Sequence, residues 1–214
     1  MHIKKLTKSE SIKIIGHDFR HHETYKNKNV DKEKSCNNIV FEDCPNFSKI
    51  EKYLTDKEIY VHGKGGKSEN KINFLCSVIC HYPKGCPVSE REFFSNLHEI
   101  LTSMFGNCQG SIVHYDEERS HIHFLFSPIV YDKKNNRYKL CAKEVVNRKM
   151  LQTLHKDVER EFEQRYGYKV KLTRNETERG LKTNIDDIEE YKRVKDIIKK
   201  QELEIKKKKG IKVP

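Results

Sequence analysis

The sequence predicts an α+β fold, a two-layer sandwich in which a mostly antiparallel central sheet carries helices on one face. The first observation is the apolar run of residues 72–80, which is typical of an interior strand. The second is a pair of strand-like segments within residues 111–126, separated by a polar turn. The third is the spacing of apolar residues in 90–105 and 147–167, which indicates two amphipathic helices.

Shorter segments precede the apolar run. We expect an edge strand at residues 2–6, a short strand at 39–41 and a helix over 47–59, where apolar residues recur at helical spacing. Residues 10–38 are dense in His, Lys and Asn, and we expect them to form a long polar loop. Long loops in compact domains usually carry function, so this segment is a candidate part of a site.

Capping residues set the expected limits of the two long helices. Ser89, with Glu92 three residues later, predicts a capping box, and Gly106 is expected to end that helix. Asn147 is expected to cap the second helix, which would end at Gly167. The residues of the second helix expected to face inward are Met150, Leu151, Leu154, Val158 and Phe162.

The remaining elements complete the expected organisation. The second hairpin strand is expected to run on to Val130, with a return strand at residues 138–141. We expect one domain over residues 1–183 and a basic C-terminal helix and tail over 184–214. The active surface is expected on the sheet face that no helix covers.

Composition points to a polyanionic partner. Of the 214 residues, 35% are charged, and the formal net charge is +11 at pH 7. Such an excess of Lys and Arg is typical of nucleic-acid-binding proteins. No apolar run is long enough to span a membrane, and the N-terminus lacks the apolar core of a signal peptide. Seven cysteines without a Cys-x2-Cys pair indicate reduced thiols, and so a cytoplasmic protein.

Three histidines in a His-x6-His-x-His arrangement form a candidate metal site. His121 and His123 flank Ile122, so both are expected to face the same side of a strand. A hairpin through the polar turn at 116–120 would bring His114 beside them. Three imidazoles on one sheet face can bind a divalent metal ion and leave positions open for a substrate oxygen.

These residues resemble the motifs of a known family. The His–hydrophobe–His strand is the signature of the HUH endonucleases, and residues 113–128 resemble the third motif of the Mob/Pre (MobV-type) plasmid mobilisation relaxases. His17-x-x-Arg20, followed by residues 27–38, is similar to the family's N-terminal motif. Residues 119–120 are Arg-Ser here, where the family usually has Thr-Pro.

The resemblance implies a metal-dependent relaxase that nicks and rejoins one DNA strand at a plasmid transfer origin. Such enzymes stay attached to the 5′ phosphate, and MobV-type members use a histidine, whose position His17 matches. A neutral imidazole nitrogen can attack phosphorus directly. The metal, expected to be Mn²⁺ or Mg²⁺, would be held by His114, His121 and His123.

The same resemblance implies roles for further residues. Glu117 matches the family's acidic position, as a proton acceptor or as a group that orients a metal ligand, with Glu118 as its neighbouring alternative. Asp116 is expected to contact the metal-binding residues without binding the metal itself. Arg20 suits a contact with the DNA phosphate. The residues expected to bind the DNA strand are Asn27, Lys28 and Asn38.

Several alternatives stay open. His21 and His22 lie close to His17, although spacing to Arg20 favours His17 as the reactive group. Tyr166 would be the nucleophile if the protein were a tyrosine-type HUH replication initiator or transposase. A non-catalytic metal-containing nucleic-acid-binding protein is the third possibility. The partner is expected to be single-stranded or supercoiled plasmid DNA at a transfer origin, and the C-terminal helix could pair with a second copy of the chain.

Overall fold

The structure, a computed structural model, describes residues 1–21, 30–63, 65–66 and 69–172. The described strands are β1 (His2–Thr7), β2 (Ile39–Glu42), β3 (Asn73–His81), β4 (Cys108–His114), β5 (His121–Phe126), β6 (Ile129–Asp132) and β7 (Arg137–Leu140). The described α-helices are α1 (Lys8–Asp18), α2 (Phe47–Asp56), α3 (Glu90–Phe105), α4 (Ala142–Val145) and α5 (Arg148–Tyr166). Two 3₁₀ helices span Lys32–Asn37 and Glu69–Lys71.

Five strands form one antiparallel sheet in the order β1-β3-β5-β4-β2, with β5 at its centre. His121 on β5 lies opposite His114 on β4 and opposite His81 on β3. Because paired residues in adjacent strands share a face, His114 and His121 point to the same side, as does His123 two positions further on. The α+β class, the edge strand, the interior strand and the hairpin expected from the sequence are therefore confirmed.

The two faces of the sheet bury two separate hydrophobic clusters. On one face, Val78, Ile122 and Phe124 pack among buried side chains of α3 and α5. On the other face, Leu75 and Leu125 pack among buried side chains of α1 and α2. The sheet is thus the middle of three layers, and the expectation of helices on one face only was wrong.

The error came from the polar segment that begins after β1. Residues 8–18 form α1 and not a loop, because Thr7 and Glu10 cap its start reciprocally, each side chain accepting from the other's backbone N–H. Ile15 is the buried apolar side chain of this short helix, with 2% of its surface exposed, and it packs in the cluster on this face of the sheet. The histidine-bearing face is therefore partly covered by the helix that carries His17.

The helices on the opposite face follow the predicted caps. The Ser89 side chain accepts from the backbone N–H of Glu92, which is one of the two hydrogen bonds of the expected capping box, and Gly106 follows the last residue of α3. Asn147 Oδ1 accepts from the N–H of Met150 at 2.9 Å, and Gly167, with a φ of 74°, ends α5 in the left-handed conformation that favours glycine. Leu154, Val158 and Phe162 are buried as expected, whereas Leu151 is 38% exposed.

The chain leaves the central sheet earlier than the sequence predicts. β5 ends at Phe126, and β6 pairs with β7 as a separate two-stranded sheet that includes the expected return strand. Pro128 lies between β5 and β6 and has no N–H to donate, which explains why the ladder does not continue to Val130.

Among the described residues, no helix combines the length and apolar character needed to cross a membrane. The expected basic segment 184–214, with its helix and lysine run, lies outside the described residues, as do His22, Asn27 and Lys28.

Candidate active site

Three buried histidines meet on the β4–β5 hairpin. His114, His121 and His123 each offer a ring nitrogen, and these nitrogens lie within 4.8 Å of one another. The three residues are at most 6% exposed. This proximity follows from the register, since His114 lies directly across from His121 and His123 shares their face.

Each imidazole of this triad has one ring nitrogen available to a metal ion, and its second ring nitrogen faces an oxygen atom. His114 Nε2 lies 2.7 Å from the backbone oxygen of Asp18, and His121 Nδ1 lies 2.8 Å from that of Arg119. A carbonyl oxygen only accepts, so the facing nitrogen carries the hydrogen and the other ring nitrogen carries the lone pair. His123 Nδ1 lies 3.0 Å from Asp18 Oδ2, which leaves its Nε2 in the equivalent position.

This arrangement fits a divalent metal ion. Within the part of the chain that the structure describes, His114 Nδ1 and both ring nitrogens of His123 are buried and make no hydrogen bond. The contact of His123 Nδ1 with Asp18 Oδ2 is therefore a close approach of 3.0 Å between an imidazole and a carboxylate. Burial lowers the pKa of His114 to about 3, with further lowering by His123 and Arg20, and burial also lowers the pKa of His121. Neutral imidazoles oriented by oxygen atoms on their far side are the usual form of histidine metal ligands.

Asp18 organises the site and was missed in the sequence analysis. Its side chain is fully buried, with Oδ1 3.2 Å from His17 Nδ1 and Oδ2 3.0 Å from His123 Nδ1. Burial alone would raise the pKa of this carboxyl group, but His123, His17 and His114 outweigh burial and hold it well below its usual range. The available signal was local, because a carboxylate directly follows the candidate nucleophile in the sequence.

His17 lies at the end of α1, beside the triad. Its ring centroid is 6.2 Å from that of His114 and 6.3 Å from that of His123, and its side chain is 37% exposed. With Nδ1 facing the Asp18 carboxylate, the lone pair lies on Nε2. His21, by contrast, stacks on Phe19, with ring centroids 6.1 Å apart. Of the described candidates, His17 is the histidine that this geometry joins to the triad.

Arg20 connects the end of α1 to the hairpin turn. Its Nε and Nη2 donate to both carboxylate oxygens of Asp116, at 2.9 and 2.7 Å, and Nη2 also donates to Glu117 Oε1 at 2.9 Å. Its Nη1 donates to the backbone oxygen of His17 at 2.9 Å. Arg20 has a φ of 56°, which is uncommon for a residue with a side chain and lets the guanidinium turn back toward the hairpin.

Two of the three acidic residues in the turn, Asp116 and Glu117, differ in environment. Asp116 is buried and also accepts from Ser35 Oγ at 2.7 Å and Asn38 Nδ2 at 2.9 Å. Although burial raises the pKa of Asp116, these hydrogen bonds and the Arg20 charge hold it well below its usual range. Glu117 is partly exposed, and its Oε1 lies 3.7 Å from His114 Nδ1. Glu117 therefore lies next to the triad, whereas Asp116 connects the hairpin turn to Arg20 and to the segment that carries Ser35 and Asn38.

Asn38, one of the expected DNA-binding residues, makes internal contacts. Besides donating to Asp116, its Oδ1 accepts from the backbone N–H of Tyr115 at 2.8 Å. It therefore anchors the segment before β2 to the end of β4. The other two expected DNA-binding residues, Asn27 and Lys28, lie outside the described residues.

The tyrosine alternative is disfavoured by position and chemistry. Tyr166 lies on α5, which packs on the sheet face opposite the histidines. Its hydroxyl donates to Glu99 Oε2 at 2.8 Å, and burial together with this carboxylate raises its pKa to about 12. The phenol is therefore protonated at neutral pH and directed to a surface carboxylate.

The comparisons with known proteins agree with the resemblance. The family model described as plasmid recombination enzyme, Mob_Pre, matches residues 1–193. The chain belongs to the Mob_Pre family. The search of curated proteins finds no match.

Solved structures of the MobM relaxase domain, labelled MOBV and Mob_Pre, share the fold of this Mob_Pre chain. One, bound to plasmid pMV158 oriT DNA with Mn at pH 6.8, has a TM-score of 0.71 and 19% identity, covering 90% of this chain and 96% of that one. A second Mn-bound complex, at pH 5.5, has a TM-score of 0.69 and 18% identity over 90% and 97% of the two chains. A complex with 26-nucleotide oriT DNA has a TM-score of 0.54 and 18% identity over 85% and 94%.

Proposed function

We propose that this protein is a metal-dependent DNA relaxase that nicks and rejoins one strand at a plasmid transfer origin, forming a covalent 5′-phosphate adduct through His17. The observation that carries this proposal is the position of His17, whose Nδ1 faces a buried carboxylate while its ring lies 6.2 Å from His114 of the triad. Membership of the plasmid recombination enzyme family supports it.

His17 would act as the nucleophile through Nε2. Attack on phosphorus forms a P–N bond while the P–O bond to the 3′ oxygen breaks, and that oxygen leaves with the electron pair and takes up a proton. The Asp18 carboxylate lies 3.2 Å from Nδ1, where it would stabilise the positive charge that develops on the phosphorylated imidazole. Attack by the free 3′ hydroxyl on the same phosphorus breaks the P–N bond and rejoins the strand.

His114, His121 and His123 would hold the metal ion, for which Mn²⁺ or Mg²⁺ is proposed. Such an ion polarises a phosphate and stabilises charge that develops on its oxygens. The Mn-bound MobM complexes support manganese. Because all three ligands are neutral imidazoles, the ion would keep its full charge for the phosphate.

Glu117 and Arg20 would act at the edge of this site. Glu117 Oε1 lies 3.7 Å from His114 Nδ1, a position from which it could orient that ligand or accept a proton. Arg20 is proposed to contact the phosphate. Its hydrogen bonds to the His17 backbone oxygen, Asp116 and Glu117 also give it a positioning role. Asp116 would hold the Arg20 guanidinium in place, and through Arg20 also Glu117.

The proposed partner is single-stranded or supercoiled plasmid DNA at a transfer origin. A net charge of +11 suits a polyanion, and the MobM relaxase domain is bound to oriT DNA in its crystal structures. Asn27, Lys28 and Asn38 remain proposed DNA contacts, and residues 184–214 a proposed dimerisation segment. The seven cysteines are free thiols, which supports the expected cytoplasmic location.

The deciding experiment uses a supercoiled plasmid library that carries candidate transfer origins, incubated with the full chain and Mn²⁺. The readout is relaxed DNA with protein attached to its 5′ end. We expect the adduct with the wild type, with His21→Ala and with Tyr166→Phe, and no adduct with His17→Ala. An adduct that is lost only in Tyr166→Phe would move the protein to the tyrosine class. Tight metal-dependent binding without any adduct would favour a binding protein.

A further inference from the structure

The β6–β7 hairpin carries two exposed tyrosine rings side by side. Tyr131 and Tyr138 are 47% and 56% exposed and lie opposite each other in the antiparallel pair. Their ring centroids are 5.2 Å apart and their planes differ by 62°, so the edge of one ring points toward the other. Large aromatic side chains usually bury most of their surface, so two adjacent exposed rings indicate a contact surface.

The hairpin that carries these rings is fixed to the rest of the domain by apolar packing, backbone hydrogen bonds and a ring contact. At its other end, Ile129 and Leu140 pack against the hydrophobic cluster below α1 and α2. Tyr60 joins its edge through two backbone hydrogen bonds of 2.9 Å, to Tyr138 and Leu140. The guanidinium of Arg137 stacks over the Tyr60 ring, 3.4 Å from its centroid. The exposed rings therefore belong to an ordered surface.

The tip of the hairpin is basic. Lys133 and Lys134 are exposed in the turn, where they follow the last residue of β6 and precede two asparagines. Two carboxylates near this turn have other partners, because Asp132 Oδ2 accepts from Asn135 Nδ2 at 2.8 Å and Glu144 lies 2.8 Å from Lys139. Positive charge beside exposed aromatic rings complements a single nucleic-acid strand, whose phosphates are anionic and whose bases can stack on aromatic side chains.

The geometry points to a base-stacking platform: Tyr131 and Tyr138 stack on bases of single-stranded DNA while Lys133 and Lys134 contact its phosphates. This inference rests on the proposed function, since it assigns part of the same DNA partner to a second surface. His121 and Phe126 mark the two ends of β5, which are about 16 Å apart at the usual strand rise, and the hairpin follows Phe126. The platform would therefore bind the strand several nucleotides away from the reacting phosphate.

The test measures binding of the full chain to fluorescein-labelled oligo(dT) that contains no transfer origin, in EDTA so that no strand is cut. We expect the double variant Tyr131→Ala/Tyr138→Ala to bind about 30-fold more weakly or less tightly still, because it loses the stacking of two bases. The matched variant Tyr131→Phe/Tyr138→Phe keeps both rings and should bind within about twofold of the wild type. In Lys133→Gln/Lys134→Gln, the slope of log affinity against log salt should fall by about 1.4, the value for two single-strand phosphate contacts.

Thermal midpoints of all variants show whether each is folded, and the nicking assay with His17→Ala runs in parallel. If the wild type nicks no origin but Tyr131→Ala/Tyr138→Ala still binds oligo(dT) more weakly than the wild type, the proposed function fails and the platform stands. If nicking persists and the alanine pair binds oligo(dT) like the wild type, the platform is overturned. Base stacking would also be overturned if Tyr131→Ala/Tyr138→Ala lost as much affinity for blunt duplex DNA as for oligo(dT). The same holds if this variant lost a dimer in sedimentation while its affinity for DNA did not change.

Discussion

Asp18 Oδ2 lies 3.0 Å from Nδ1 of His123, so the residue that follows the candidate nucleophile also orients a candidate metal ligand. Its other carboxylate oxygen lies 3.2 Å from His17, and its backbone oxygen accepts from His114. One residue at the end of α1 thus contacts three of the four histidines of the site. This arrangement couples the orientation of His17, the proposed nucleophile, to that of the proposed metal ligands His114 and His123.

The first prediction concerns Asp18→Asn. An asparagine has one acceptor atom and one NH₂ group, so it can accept from either His17 or His123 but not from both. We expect the affinity for Mn²⁺ to fall about 10- to 100-fold, as for other partners of metal-ligating histidines. Nicking at saturating Mn²⁺ should also fall, because His17 loses its orientation.

Calorimetric titration with Mn²⁺ measures this change in affinity. Asp157→Asn is the matched control, since Asp157 pairs with Arg160 on the surface of α5. An unchanged dissociation constant in Asp18→Asn would show that the Asp18 carboxylate does not orient the ligands.

The second prediction concerns Arg20→Ala, which leaves the buried Asp116 without its guanidinium. The side chain of Arg20 is 10% exposed and that of Asp116 is fully buried. Removing one partner of a buried ion pair typically lowers the free energy of unfolding by about 3 kcal/mol or more. Urea denaturation measures the loss. Arg165→Ala, at a surface pair with Glu161 on α5, should change stability little, and an equal loss in both variants would contradict the assigned role.

The third prediction is the pH dependence of stability through Asp116. Its pKa is lower in the folded protein than its usual value of 3.8, so ionised Asp116 stabilises the fold at neutral pH. This contribution is present above the usual pKa and is lost as pH falls toward the lower folded value. The stability difference between the wild type and Asp116→Asn should therefore narrow as pH falls below about 5. Denaturation curves across this range measure it, and a pH-independent difference would exclude an ionised Asp116.

The fourth prediction concerns Gly110 on β4, which lies close to the segment that follows α1. A Cβ at this position would lie 2.8 Å from Phe19 Cζ and 2.8 Å from Cys44 Cβ. Gly110→Ala should therefore lower the free energy of unfolding by about 1–3 kcal/mol and displace the end of α1 that carries His17.

Thermal denaturation and single-turnover nicking measure these two effects. Gly66→Ala, where the added Cβ meets only a backbone oxygen at 3.4 Å, is the control. Wild-type nicking in a folded Gly110→Ala protein would show that the placement of α1 does not limit the reaction.

Much of the fold was predictable because its signals are local. Ser89 and Asn147 cap their helices, and alternation along β5 places His121 and His123 on one face. A single hairpin brings His114 beside them, so the triad requires no knowledge of distant contacts. Residues 10–18 were mistaken for part of a loop because α1 depends on a capping box and on the docking of Ile15 more than on a broad apolar face.

The sequence by itself determined the triad, the strands that build it, the caps of α3 and α5, and the family. Only the tertiary structure decided that Asp18 serves both His17 and His123, that Arg20 binds Asp116, and that helices cover both faces of the sheet. The physical reason is that register and side-chain alternation act between neighbours in sequence. The approach of α1 to the hairpin instead depends on packing and buried charge between segments far apart in the chain.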